Sequence, residues 1–335
     1  MENPLVSVII PCYNAEPFVE QAVRSIMNQT YQNLEILITD DCSTDGSFAI
    51  LQRLAEEDAR IKLFRNEHNQ KIVRTLNALV ERATGKYIAR MDADDISLPK
   101  RIEKQVAFLE ANPDIAICGT NAFCIDVNSK IISKVRFPIR SEDCKYFLKY
   151  STCFFHPSIL INAQILKENP YSEFFLYAED YELWVRLLCE NNLEGTNLQE
   201  PLLYYRTYGE QSSAVHSDSQ IDTVSKILSC YDLVDDLQNH MNIFYKKFSC
   251  NFASERVYIK RIFKENKKQS FYLRMNIFAR VVVYFRKTGR LKLIFLILPH
   301  FLGFLYFGIL KIYDFFLVAH QNYKNHLGDM NYAKS

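Results

Sequence analysis

Short, mainly apolar runs punctuate the first third of the chain: Val6 to Ile10, Leu34 to Thr39, Ile61 to Phe64 and Tyr87 to Met91. Their length suits buried strands better than helices. Between them, apolar residues recur at helical spacing over Phe18 to Gln29, Ser47 to Asp58 and Val73 to Ala83, with Gly85 as the stop signal of the last. Pro11 is expected to end the first strand. Pro99 opens a further helix that runs to Asn112, ahead of Pro113. Strands alternating with helices predict an α/β fold, a mainly parallel sheet with helices on both faces. Ligands of such sheets bind beyond the carboxyl ends of the strands. The polar loops at Tyr13-Asn14, Asp40-Asp41 and Asp92 to Asp95 fall at those ends, so one crevice should gather them.

The pattern loosens after about Ser141. His156-Pro157-Ser158 is followed by a helical stretch, Ala178 to Leu187, with Glu179-Asp180 at its start. Leu202 to Arg206 reads as a short strand, and Gln220 to Arg286 as helices rich in Phe, Tyr and basic residues. Charge is unevenly spread. Lys246 to Lys292 holds 14 Lys or Arg against Glu255 and Glu265, a local net of +12 in a chain of net +1, which leaves −11 for the remainder. Such a segment suits an anionic partner. It runs into an 18-residue stretch, Leu293 to Leu310, without acid, Lys or Arg. A spanning helix needs ~20 apolar residues. A buried C-terminal helix is one reading; a helix lying in, or dipping into, an anionic leaflet is favoured by the basic flank. A single span would keep the basic side and the large domain in the cytoplasm. The aromatic content argues for a membrane rather than nucleic acid.

The 9 cysteines are scattered without CxxC spacing, which points to neither a zinc site nor a redox pair and fits a reducing compartment. The N-terminal apolar run is too short for a secretory leader.

The chemistry concentrates at Asp92, Asp94 and Asp95, crowded behind a buried strand. Two readings are open: an oxygen-ligand site for a hard divalent cation that could hold a diphosphate, or an acidic helix cap, with Asp95 capping the loop into Pro99. Glu179-Asp180 has the same ambiguity between a helix N-terminus favoured by the dipole and a general base raised in pKa by burial beside a second carboxylate. Trp184, four residues on, fits the core. Asp45 reads as a turn or cap residue.

These residues carry a resemblance. Val6-Ser7-Val8-Ile9-Ile10-Pro11-Cys12-Tyr13-Asn14, Ser25 to Tyr31, Glu35 to Gly46, Tyr87 to Asp95, Glu179-Asp180 and Tyr204-Tyr205-Arg206 occur in the order found in inverting family 2 glycosyltransferases. The chain resembles the non-processive bacterial members of that family over roughly residues 4 to 210. The resemblance implies a GT-A fold, Rossmann-like, and transfer of one sugar from a nucleotide-sugar, UDP by family habit, to a saccharide or lipid-linked acceptor in cell-surface polysaccharide synthesis. It implies Pro11, Tyr13, Asn14, Asp41, Lys71, Asp92 and Ala93 at the nucleotide-sugar, Asp94 and Asp92 on Mn²⁺ or Mg²⁺, Asp180 as general base with Glu179 beside it, and His156 and Arg206 near the acceptor or diphosphate.

There are departures from the family pattern. Asn69-Gln70-Lys71 stands where the family often has Gly, and the Gln-x-x-Arg-Trp motif of processive relatives is absent. The expected layout is a GT-A domain over 1–215, a basic helical extension over 216–288, a membrane-associating segment over 289–320 and a polar tail over 321–335, at the cytoplasmic side of the inner membrane, peripheral, monotopic or single-span. A sugar-1-phosphate nucleotidyltransferase is the alternative enzyme, but Pro11-Cys12-Tyr13-Asn14 lacks its Gly-rich loop. A membrane-bound scaffold without turnover is the alternative outside catalysis.

Overall fold

In a computed structural model of the chain, residues 3–209 and 216–241, with Ile262 and Val281, are described. The expected segments 289–320 and 321–335, and nearly all of the basic stretch from Lys246, lie outside the described residues.

The first half alternates as its apolar pattern predicts: β1 (Val6–Cys12), α1 (Val19–Met27), β2 (Leu34–Asp40), α2 (Ser47–Glu57), β3 (Ile61–Arg65), α3 (Lys71–Arg82), β4 (Tyr87–Arg90), β5 (Ile96–Ser97) and α4 (Arg101–Ala111). Then come β6 (Ile115–Ile125), β7 (Ile131–Val135), α5 (Ser141–Phe147), β8 (Leu160–Asn162), α6 (Ala163–Glu168), α7 (Glu179–Val185), β9 (Glu194–Arg206), α8 (Ser217–Cys230) and α9 (Leu237–His240). Among the described residues these strands form one sheet in the order β3-β2-β1-β4-β8-β6-β9-β5, with β7 on β6. Strands β1 to β4 are parallel; β8 turns antiparallel to β4 and β6, while β6 and β9 run parallel.

Alternate residues of β1 divide the core. Ile9 packs with α3, α5, α6, α7 and α8 on one face, and Val6, Val8 and Ile10 pack with α1, α2 and α4 on the other. Helices on both faces follow from strands that are apolar on both sides. Val224, Ile227 and Leu228 of α8 join the first of these cores, so the chain beyond residue 215 continues the same packing.

Pro11 does not end β1. The Ile9 carbonyl accepts from Met91 on the β4 side, whereas Cys12 O accepts from Asp41 on the β2 side. Pro11, in phase with Ile9, therefore turns its missing N–H toward β4, which stops at Arg90 opposite Ile9. A proline is tolerated where no ladder bond is lost. β9 is longer than the expected Leu202 to Arg206, because Glu194 onward pairs with β6. Ile115–Ile125, buried nearly throughout, forms the central strand of the second half.

Opposite the crevice, Glu35 anchors the amino end of the sheet. Its carboxylate accepts from Ser7 Oγ at 2.6 Å, Thr84 N at 2.6 Å, Thr84 Oγ1 at 2.8 Å and Lys62 Nζ at 2.7 Å. Burial works to raise its pKa, but Lys62, Ser7 and Thr84 outweigh it and bring the group down to about 2. The Gly85 backbone passes so close that a Cβ there would meet Leu5 O at 2.6 Å and Ser7 N at 2.7 Å. Glu35→Gln is expected to lower stability at pH 7 by about 2 kcal/mol, the scale of charge-assisted hydrogen bonds. Because the folded pKa is depressed, that difference is present above pH 4.5 and is lost as pH falls toward 2, which urea unfolding across that range checks.

Candidate active site

The loops at the carboxyl ends of β1, β2 and β3 are stitched together. Asn14, at φ 47°, donates its N–H to Ser43 Oγ at 3.0 Å and accepts from Thr44 N through Oδ1 at 2.9 Å. Asp41 Oδ1 accepts from Asn66 Nδ2 at 2.7 Å and Gln70 N at 2.8 Å. Tyr13 is half exposed beside them, Pro11 is buried in β1, and Lys71 is exposed at the start of α3. Lys71 and Cys42 hold φ of 67° and 63°, a left-handed conformation costing about 1 kcal/mol for a side chain that is not Gly. Lys71 thus occupies a backbone state that Gly takes freely. Asp45 is a turn residue: its Oδ1 accepts from Ser47 N and its Oδ2 from Glu16 N, each at 3.0 Å.

Beyond β4 the chain turns through Asp92, Ala93, Asp94 and Asp95. Asp92, Asp94 and Asp95 each present an oxygen within 4.8 Å of the others. Asp92 forms an ion pair with Arg90, which is almost wholly buried. Asp94 Oδ2 accepts from the Tyr208 hydroxyl at 3.0 Å. Asp95 is fully buried; its Oδ1 accepts from Arg206 N at 2.8 Å, and its Oδ2 is buried without a hydrogen-bond partner. Burial, then Asp94 and Asp92, push its carboxyl well above the carboxylate range. A hard oxygen set with one unsatisfied buried oxygen and mutual repulsion fits a divalent cation. Ala93 is buried between the acids.

Glu179 and Asp180 open α7. Glu179 is 9% exposed, its Oε2 buried without a partner, while Asp180 is partly exposed and accepts from Tyr181 N at 2.7 Å. Burial, then Asp180, raise the Glu179 carboxyl to about 7; burial raises Asp180 too, against Tyr181 N and Arg90. The helix dipole favours ionised acids here, but desolvation is the larger effect. His156 is buried; its Nε2 shares a 2.8 Å hydrogen bond with the Tyr171 hydroxyl, and its ring packs edge-on against Trp184. Burial and then Arg90 hold His156 well below its ordinary pKa, in the neutral form. Trp184 is fully buried and packs edge-on against Phe154 as well as His156, so it fills the core. Arg90 thus lies close enough to Asp92, Asp180, Glu179, His156 and Tyr171 for its charge to act on each.

The sequence description of Glycosyl transferase family 2 matches residues 7–168. An uncharacterized glycosyltransferase of Haemophilus influenzae is 38% identical over 68% of this chain and 73% of its own length. The chain belongs to glycosyl transferase family 2. The Escherichia coli UDP-Glc:alpha-D-GlcNAc-diphosphoundecaprenol beta-1,3-glucosyltransferase WfgD is 33% identical over 59% of this glycosyltransferase and 75% of the relative. A crystal structure of S. aureus TarS with UDP-GlcNAc superposes with a TM-score of 0.57 at 16% identity, covering 86% of this chain and 89% of that one, so the two share the GT-A fold.

Residues of this glycosyltransferase that the sequence left without a role are Arg90, Tyr171 and Tyr208. A charged residue inside the apolar run Tyr87 to Met91 was the available signal for Arg90; Tyr171 and Tyr208 had none. Arg206, expected near acceptor or diphosphate, is 1% exposed and bonded to protein carbonyls.

The raised Glu179 carboxyl has a signed consequence. The folded protein keeps its proton to about pH 7, whereas the unfolded chain loses it near 4.5, so Glu179 costs stability as pH rises through that window. Glu179→Gln should match wild type at or below pH 4.5 and exceed it at pH 8 by about 3 kcal/mol, measured by chemical denaturation at both pH values.

Proposed function

We propose that this glycosyltransferase moves one sugar, with inversion, from a nucleotide-sugar to a saccharide or lipid-linked acceptor in the building of a cell-surface polysaccharide. The observation that carries the reading is the pair of acidic groups, Asp92 to Asp95 and Glu179-Asp180, both within the charge field of Arg90. Inverting transfer needs charge neutralisation on the leaving side and a base on the acceptor side. When bound at Asp94 and Asp92, Mn²⁺ or Mg²⁺ supplies Lewis-acid neutralisation of the nucleoside diphosphate. Asp180, the more exposed of its pair, takes the proton from the acceptor hydroxyl as that oxygen attacks the anomeric carbon. Glu179 stands behind it, and Asp92 is oriented by Arg90. Tyr13, Asn14, Asp41 and Lys71 line the nucleotide end, with Pro11 and Ala93 shaping it.

The Escherichia coli relative, a UDP-Glc:alpha-D-GlcNAc-diphosphoundecaprenol glucosyltransferase, supports a UDP-sugar donor and a lipid-diphosphate acceptor. We place the enzyme at the cytoplasmic face of the membrane because such an acceptor is a membrane lipid and because Lys246 to Lys292 is strongly basic. Among the described residues no helix is long and apolar enough to cross a membrane. We assign catalysis to residues 1–215 and membrane association to residues 289–320.

A panel of UDP-, GDP- and dTDP-sugars with Mn²⁺, read by nucleotide release and thermal shift with and without EDTA, tests the reading. One donor should give a metal-dependent shift that Asp94→Ala abolishes. Asp180→Asn should keep that shift and lose roughly 10²–10⁴-fold in turnover, the usual weight of a general base. A folded protein that responds to no donor, with or without metal, would sink the assignment.

A further inference from the structure

Arg206, at the end of β9, is 1% exposed and commits every guanidinium nitrogen to protein. Nε donates to Asp94 O at 2.8 Å. Nη1 donates to Asp126 O at 3.0 Å, Val127 O at 3.2 Å and Ser129 Oγ at 3.1 Å. Nη2 donates to Gln21 Oε1 at 2.8 Å. The backbone N–H of the same residue donates to Asp95 Oδ1 at 2.8 Å. The guanidinium lies 4.5 Å from the centroid of the Phe18 ring, which also packs against Tyr208.

Burying an arginine is costly unless its donors are matched. Here one residue bonds both to the main chain of Asp94 and to the side chain of Asp95, more than a hundred positions earlier in the chain. Its remaining bonds reach α1 and the turn between β6 and β7, which fix it from outside the crevice. The planar fork of arginine can serve these carbonyls at once; the point charge of a lysine cannot.

We propose that Arg206 is a positioning residue for the cation site: it sets the Asp94-Asp95 turn through the Asp94 carbonyl and the Asp95 carboxylate, and touches neither cation nor donor. The inference rests on the proposed metal role of Asp94 and Asp92.

The test is titration of the full-length protein with Mn²⁺, alone and with UDP, following free Mn²⁺ by electron paramagnetic resonance. Arg206→Lys should bind Mn²⁺ about 10–100-fold more weakly, the usual cost of losing a group that orients metal ligands, while its thermal transition remains cooperative. Gln21→Ala and Ser129→Ala each remove one anchoring bond of Arg206 on the side away from Asp94, and should keep wild-type Mn²⁺ affinity. Wild-type affinity in Arg206→Lys, or equal weakening in Gln21→Ala and Ser129→Ala, overturns the proposal, since either result reduces Arg206 to a general brace. If Arg206→Lys does not fold, Arg206→Gln carries the test: its single amide cannot reach Asp94 O and the turn between β6 and β7 together, so it should weaken Mn²⁺ binding severalfold, and unchanged affinity overturns the proposal. A wild-type protein that takes up no Mn²⁺ in either condition overturns the metal assignment itself, so the two failures are distinguishable.

Discussion

Three carboxylates whose oxygens lie within 4.8 Å of one another repel by about 3 kcal/mol per pair when ionised, at an effective dielectric constant near 20. The chain beyond β4 is arranged around that repulsion. Asp92 leans on Arg90, Asp95 takes the Arg206 amide, and Asp94 takes the Tyr208 hydroxyl. Behind them Arg101, buried and lowered to about 9 by desolvation, donates to the carbonyls of Arg90 and Pro157. The compensation is incomplete: the Asp95 carboxyl stays far above the carboxylate range, and its Oδ2 is unsatisfied. A cation bound at such a turn, as proposed, would relieve an existing electrostatic cost.

Sheet topology explains how residues from distant parts of the sequence meet there. β4 stops at Arg90 while its neighbour β1 continues to Cys12, which opens a step at the carboxyl edge. β8 enters antiparallel beside β4, so the turn before it delivers His156 next to Arg90. β9 runs parallel to β6 and emerges on the same side, bringing Arg206 under the acidic turn. Part of the backbone strain lies on the same edge: Asn14 and Cys42 hold left-handed φ on the loops after β1 and β2, and Lys71 does so at the start of α3 after β3. Strain of that kind persists where the surroundings over-determine the conformation, as at ligand-binding loops.

The parallel half of the fold was legible because each strand there is a short run of apolar residues on both faces, separated by helices of clear period. The acidic turn and Glu179-Asp180 were legible as charge at the ends of such elements. β6 was not, since Ile115–Ile125 mixes Gly119, Thr120 and Asn121 into its apolar residues and its pairing partner, β9, is some seventy residues away. Asn121 is buried by donating to Gln199 O and accepting from Phe137 N, contacts that no local pattern encodes. The carbonyl partners of Arg206, on Asp94, Asp126 and Val127, lie some eighty or more positions away in the chain, so its burial among them was not legible in the sequence. Pro11 misled in the opposite sense: whether a proline ends a strand depends on which neighbour its missing N–H faces.

The unequal burial of Glu179 and Asp180 bears on which of them can serve as the base in the proposed reaction. Two adjacent ionised carboxylates beside one arginine would repel each other, so the pair favours a state with one proton. Glu179, its Oε2 sealed from solvent and unpartnered, is the better holder of that proton, and its pKa of about 7 agrees. With Glu179 neutral, Asp180, partly exposed, keeps its charge at lower cost and with the attraction of Arg90. Its own pKa is raised by burial, which brings its basicity nearer to what deprotonating a hydroxyl requires. As pH climbs past 7 and Glu179 ionises, the repulsion returns to Asp180 and pulls harder on Arg90, the same guanidinium that orients Asp92. In the proposed reaction the Glu179-Asp180 pair and the Asp92 to Asp95 turn would therefore be linked through one buried guanidinium.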